Sequence, residues 1–140
     1  MNSAEVRRQG VFGASDGVTI ALGLIIGLAA TQPHAVFRAA LAAGTAELVG
    51  MTAGAWLSNS RDGLWPPLAN EVAALAACVL PGVPCLLWHG WAALLPALVL
   101  VLAVAGGVAW LRPQRGWQAV LQPFGVLAAA AVFCYLANLI

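Results

Sequence analysis

Two carboxylates and one thioether lie within apolar stretches of this sequence, where an unpaired charge is costly. Asp16 interrupts "VFGASDGVTIALGLIIGLAA", and Glu47 lies in "AGTAELVGMTAGAWLS", four residues before Met51. Residues four apart share one face of a helix, and the helical rise places Asp16 at a depth comparable to that of Glu47 and Met51. The spacing therefore predicts that these three side chains converge.

Such a set favours the binding of a divalent transition metal. Carboxylates supply hard, charged oxygen ligands, and a thioether adds affinity for metals softer than magnesium or calcium, so Fe(II) and Mn(II) fit best. No basic residue at this depth is available to neutralise Asp16 or Glu47, which leaves protonation, a bound cation or water. Two alternatives stay open: a protonated carboxyl group can hydrogen-bond across a helix pair, and Met51 can fill the core.

The composition of the chain indicates that the helices carrying these residues lie in a membrane. The chain is 62% hydrophobic and only 8% charged, which is far outside the range of a soluble domain. Since a spanning helix needs about 20 apolar residues, we predict an all-α membrane protein, one domain over residues 1–140. A single helix through the third and fourth spans would be about 65 Å long, so the chain must reverse near His89. The five predicted spans are residues 10–30, 36–58, 67–88, 91–111 and 117–139.

The basic residues predict the orientation of these spans. All six are arginines, and only Arg38 falls on the side opposite to the other five. The positive-inside rule therefore places the N-terminus in the cytoplasm and the C-terminus outside. We expect a multi-pass protein of the cell membrane, and the lack of lysine with abundant alanine favours a bacterial inner membrane. A net charge of +1 without basic runs argues against nucleic acid as a partner.

The remaining notable residues have predicted structural roles. Glu71 lies within about a turn of the start of the third span, and His34 and His89 are expected at the outer surface, too isolated to be assigned as ligands. The three cysteines are expected to be inert packing groups. Two GxxxG pairs in the first span let another helix approach closely, either the second span or the first span of a second copy. These glycines are Gly13, Gly17, Gly23 and Gly27.

The two quoted segments, together with "VLPGVPCLLW" and "GWQAVLQPFGVLAAAAVFCYL", resemble the vacuolar iron transporters and their yeast and bacterial relatives. The first segment is similar to the FG-x-x-DG motif of that family, and the second to its Ala-Glu helix with a later Met. The resemblance implies a homodimeric antiporter that exchanges a divalent metal for protons between two protomers. It also implies that Asp16, Glu47 and Met51 line the metal path. Two copies of the chain are then expected to pair through their first two spans as a C2 dimer.

Two features depart from the family pattern. Family members usually carry a helical, glutamate-rich metal-binding domain between the second and third spans, whereas only "NSRDGLWPP" joins them here. The interval from Glu47 to Met51 is also about one turn shorter than in the family, which keeps Met51 on the Glu47 face but shifts its depth.

The sequence therefore predicts a transporter of Fe(II) or Mn(II) that exchanges the metal for protons, with the metal as substrate and no resident cofactor, and not an enzyme. One alternative is a membrane scaffold or partner subunit that has lost transport. A passive channel is less favoured, because two opposed carboxylates hold a divalent ion too tightly for rapid flow.

Overall fold

The computed structural model describes residues 3–28, 32–57, 65–111 and 117–137, and nearly all of them are helical. No β-strand occurs among these residues, so the all-helical prediction is confirmed for them. The elements in chain order are α1 (Ser3–Leu28), α2 (Pro33–Leu57), α3 (Trp65–Val79), a 3-10 turn (Leu80–Gly82), α4 (Pro84–Leu87), α5 (Trp91–Leu111) and α6 (Trp117–Ala137).

The helix bounds agree with most of the predicted spans. α5 covers the predicted residues 91–111, and α2 begins and ends within a turn of residues 36–58. α1 begins about two turns before the predicted start at residue 10. Within this first stretch Arg8 forms a 2.8 Å ion pair with Glu5, three residues earlier on the same face, which adds a small local stabilisation to the helix.

The predicted third span is not one continuous helix. α3 ends at Val79, and Pro81 and Pro84 follow within the next turn and a half. Each proline lacks the N–H that would continue the helical hydrogen bonds, so the chain passes through a 3-10 turn before α4. The predicted reversal follows, where Gly90 has a φ of 58°, a left-handed conformation that glycine adopts without strain.

Three helical stretches in the described part of the chain are long and apolar enough to cross a membrane: Ser3–Leu28, Pro67–Leu87 and Trp91–Leu111. α2 carries Arg38 and Glu47 and is not among them, and α6 contributes a shorter apolar stretch, Phe124–Leu136. The protein is therefore a multi-pass membrane protein. Three of the arginines on which the predicted orientation depends lie outside the described residues: Arg61, Arg112 and Arg115.

α1 makes its most extensive contact with α3, and two glycines allow it. A Cβ at Gly13 would lie 2.7 Å from the carbonyl carbon of Asn70, and one at Gly17 would lie 2.7 Å from that of Ala74. Both pairs are offset by the same number of residues, so the two helices run parallel. The first GxxxG pair thus packs against the third predicted span of the same protomer, a partner that the sequence analysis had not considered.

α2 packs against α3 in the opposite direction. Cys78 Sγ lies 3.6 Å from the carbonyl oxygen of Ala40, whereas a Cβ at Gly44 would approach Leu75 on the preceding turn of α3. Moving along α2 toward its C-terminus therefore means moving along α3 toward its N-terminus. As a result, the start of α1, the end of α2 and the start of α3 lie at the same end of the bundle.

α5 completes the core with a stripe of small residues. Ala93, Ala97, Val101 and Ala105 are four residues apart and almost fully buried, which places them on one helix face. They pack with the buried apolar residues of α1, chiefly Val18, Leu22 and Ile25. The outer faces of α5 and α6 carry exposed large apolar side chains instead, as lipid-facing helices do.

Candidate functional site

Asp16 and Glu47 meet between α1 and α2. Their carboxyl groups lie within hydrogen-bonding reach, and the charge of Asp16 acts on Glu47. Glu47 is half-buried and Asp16 is exposed on the surface of the protomer. Because an ionised carboxylate can only accept a hydrogen bond, the two groups can bond to each other only when one of them is protonated.

Glu71 is a third carboxyl group near this pair, and its burial is not predicted by its position in the sequence. The sequence predicts only that it lies within about a turn of the start of the third span, and in the structure 1% of the residue is exposed. Its charge acts on Glu47. The signal that could have found it is its spacing from Ala74 and Cys78, three and seven residues on, which places it on the buried stripe of α3.

The contact between α1 and α3 explains why Glu71 is buried. Gly13 lies against the backbone of Asn70, so α1 covers the first turns of α3 at the distance of a glycine rather than of a side chain. Asn70 itself is 9% exposed, and its Nδ2 donates a 2.5 Å hydrogen bond to Glu71 Oε1. The two polar side chains are thus held together in the interface.

Several buried oxygens in this region have no hydrogen-bond partner. They include Glu47 Oε2, Asn70 Oδ1 and Glu71 Oε2. An acceptor left without a donor in the interior costs about 1–3 kcal/mol. Among the described residues the one ion pair joins Arg8 to Glu5, so none of these three oxygens is neutralised by a basic side chain of the described segments. A proton, a water molecule or a cation would satisfy them.

Met51 lines a cavity beside this cluster. The cavity has a volume of about 350 Å³ and is open at one side. The Met51 side chain is 56% exposed, so its sulfur is accessible from the cavity. The walls are formed by Gln9, Phe12, Met51, Gly54, Pro67, Asn70 and Glu71.

The carboxyl groups alone do not complete a metal site within one protomer. No group of three His, Cys, Asp or Glu side chains in the described segments is arranged to hold a metal ion. A divalent ion bound here therefore needs further donors, such as the thioether of Met51, the amide oxygen of Asn70, water, or residues of a second copy.

His34 and His89 form a second polar contact at the opposite end of the bundle. Their Nε2 atoms lie 2.6 Å apart, and the rings meet edge to face with centroids 4.5 Å apart. The sequence analysis treated them as isolated, because 55 residues separate them. The antiparallel packing of α2 on α3 and α4 brings the start of α2 to the turn before α5, and so brings the two rings together.

Comparison with known protein families gives a match over the first part of the chain. Residues 7–63 match the model of the VIT family. This stretch contains most of α1 and all of α2, and with them Asp16, Glu47 and Met51. No curated protein and no solved structure matches the chain at a significant level.

Proposed function

The match over residues 7–63 supports membership of this chain in the vacuolar iron transporter family, and from that premise we propose that it exchanges Fe(II) or Mn(II) for protons across the membrane. The family points to membrane transport of metal ions rather than to an enzyme. The choice of metal and the coupling to protons are our inferences from the Asp16–Glu47 pair.

The observation that carries the proposal is the close approach of the Asp16 and Glu47 carboxyl groups. Two carboxyl groups this close favour sharing a proton, no basic side chain of the described segments pairs with them, and Glu47 Oε2 has no hydrogen-bond partner. A divalent cation would satisfy both carboxylates at once, and its binding would expel the proton. Protons arriving from the other side would in turn displace the metal, which is the minimum of an exchange cycle.

The metal class follows from the donors. Asp16 and Glu47 supply hard oxygens, and Met51, one turn from Glu47 on the same face of α2, lines the same path with a sulfur that favours transition metals over Mg²⁺ and Ca²⁺. In this proposal the chain crosses the membrane of a bacterial cell five times, with its N-terminus in the cytoplasm. Two copies form a C2 dimer, so that the metal path between them has carboxylates from both.

Metal uptake into proteoliposomes tests the proposal. With an imposed pH gradient, we expect uptake of Mn²⁺ by the wild type and a loss of at least about tenfold in D16N and E47Q, because each variant removes one charged ligand. E5Q is the matched control: it removes a carboxylate that is already paired with Arg8, and it should transport at the wild-type rate.

Two results would overturn the proposal. The first is a wild type that shows no flux above empty liposomes, which would favour the scaffold function. The second is a folded D16N or E47Q protein that carries Mn²⁺ and Fe²⁺ as fast as the wild type, which would exclude the pair from the path.

A further inference from the structure

Asn70 and Glu71 form a buried polar pair that the exchange cycle does not use. The hydrogen bond from Asn70 Nδ2 to Glu71 Oε1 uses one donor and one acceptor. It leaves Asn70 Oδ1 and Glu71 Oε2 buried with no hydrogen-bond partner. Two adjacent acceptors with no donor between them create a locally negative position, and burial makes that position more attractive to a cation than the same atoms would be in water.

A cavity connects this pair to the outside of the protomer. The cavity of about 350 Å³ is lined by both Asn70 and Glu71 and also by Met51. Because one water molecule occupies about 30 Å³ in the liquid, there is room for a divalent ion with part of its hydration shell. The donors around it are a carboxylate, an amide oxygen and a thioether.

The cavity lies where a cytoplasmic ion would arrive. Gln9 and Phe12 come from the first turns of α1, Pro67 from the start of α3 and Gly54 from the end of α2, so it opens at the N-terminal end of the bundle. Deeper in, the charge of Glu71 acts on Glu47. A cation held at Glu71 is therefore within electrostatic reach of the Asp16–Glu47 pair.

We propose that Glu71, Asn70 and Met51 form a separate vestibule site that captures the divalent metal before it reaches the Asp16–Glu47 pair. This inference rests on the proposed transport function and adds a capture step to it. The oxygens of Glu71 and Asn70 bind the ion, and the sulfur of Met51 selects soft ions over Mg²⁺ and Ca²⁺. Capture at this site takes the place of a cytoplasmic metal-binding domain, for which the segment between α2 and α3 is too short.

Mn²⁺ binding and uptake by E71Q test the vestibule site. Glutamine keeps the shape of the side chain and an acceptor for Asn70 Nδ2 but removes the charge. In detergent-solubilised protein we expect E71Q to bind one Mn²⁺ fewer per protomer than the wild type, by calorimetric titration. In proteoliposomes we expect its KM for Mn²⁺ to rise about tenfold, with the maximal rate changed less than about twofold because the Asp16–Glu47 pair is intact. E5Q is the control for loss of one carboxylate at the same end.

M51L provides a second test that does not depend on a buried substitution. Met51 is exposed, so leucine leaves the fold intact while it removes the sulfur. We expect Cd²⁺, a thiophilic ion, to compete about tenfold less well for Mn²⁺ uptake in M51L, whereas competition by Mg²⁺ stays unchanged.

The outcomes separate the two proposals. If E71Q and M51L bind and transport Mn²⁺ and respond to Cd²⁺ like the wild type, the vestibule site is excluded and the transport function stands. If the wild type carries no Mn²⁺ but binds one Mn²⁺ more per protomer than E71Q does, the site exists and the transport function is excluded. If E71Q does not fold, the response of M51L to Cd²⁺ decides the inference.

Discussion

Asp16 and Glu47 are opposite each other because helical geometry leaves little freedom in where they lie. A rise of 1.5 Å per residue sets the depth of each side chain once the span ends are known, so their proximity could be expected from the sequence. Glu71 could not be placed in the same way. The sequence places it near the start of a span and so close to the membrane surface. Its burial depends instead on how closely α1 approaches Asn70.

Metal binding to the Asp16–Glu47 pair should release protons. Because two carboxyl groups within hydrogen-bonding reach favour sharing a proton, and a metal binds only the deprotonated form, adding Mn²⁺ to weakly buffered protein should acidify the solution. The apparent affinity for Mn²⁺ should accordingly rise with pH. We expect E47Q to release fewer protons than the wild type, and a pH electrode during the titration measures the difference. Wild-type protein that binds Mn²⁺ without releasing protons would show that the pair is not the binding site.

The helices themselves were largely predictable, but their neighbours were not. The bounds of α5 and the reversal at Gly90 follow from composition and turn chemistry, both of which are local. The glycine pairs of α1 predicted close packing without naming the partner, because GxxxG spacing describes only one of the two surfaces. In the structure Gly13 and Gly17 face α3, and a Cβ at Gly23 would lie 3.2 Å from Cys134 Sγ on α6.

Replacing Gly17 with alanine should destabilise the protein by forcing α1 away from α3. The added Cβ would lie 2.7 Å from the carbonyl carbon of Ala74, and backbone cannot yield as a flexible side chain can, so we expect a cost of about 1–3 kcal/mol. G125A is the matched control on α6, since a Cβ there meets nothing within 4 Å; it should be neutral or slightly stabilising. Denaturant unfolding in detergent micelles measures both. Equal stability of the two variants would contradict the close packing of α1 on α3.

At the scale of the whole molecule, one side of the protomer leaves a carboxyl group and a groove uncovered. Asp16 is exposed there, although its segment is predicted to lie in the membrane, where an uncovered carboxyl group is costly. A groove of about 700 Å³ runs along α2, lined by residues from Arg38 to Gly50 that include the small side chains of Ala42 and Ala46. Since the α1 glycines Gly13 and Gly17 are used within the protomer, the predicted dimer depends on this face of α2 and on the exposed part of α1.

Larger side chains at open glycine positions on this face of α2 should disrupt the dimer without disturbing the fold of the protomer. A Cβ at Gly50 or Gly54 meets nothing within 4 Å, so leucine at either position should leave the protomer folded while it holds apart two copies that pack through α2. Gly107 on α5 is equally open, which makes G107L the matched control on a face predicted to contact lipid.

In mild detergent we expect the wild type and G107L to have the mass of a dimer by light scattering, and G50L and G54L the mass of a monomer with unchanged helix content. G50L should also lose Mn²⁺ uptake, because each protomer supplies only part of the ligand set at Asp16 and Glu47, whereas G54L is kept for the mass measurement because Gly54 lines the vestibule cavity. Dimers of undiminished stability in both variants would show that the copies meet elsewhere. Transport by a monomeric G50L protein would show instead that one chain completes the metal path alone.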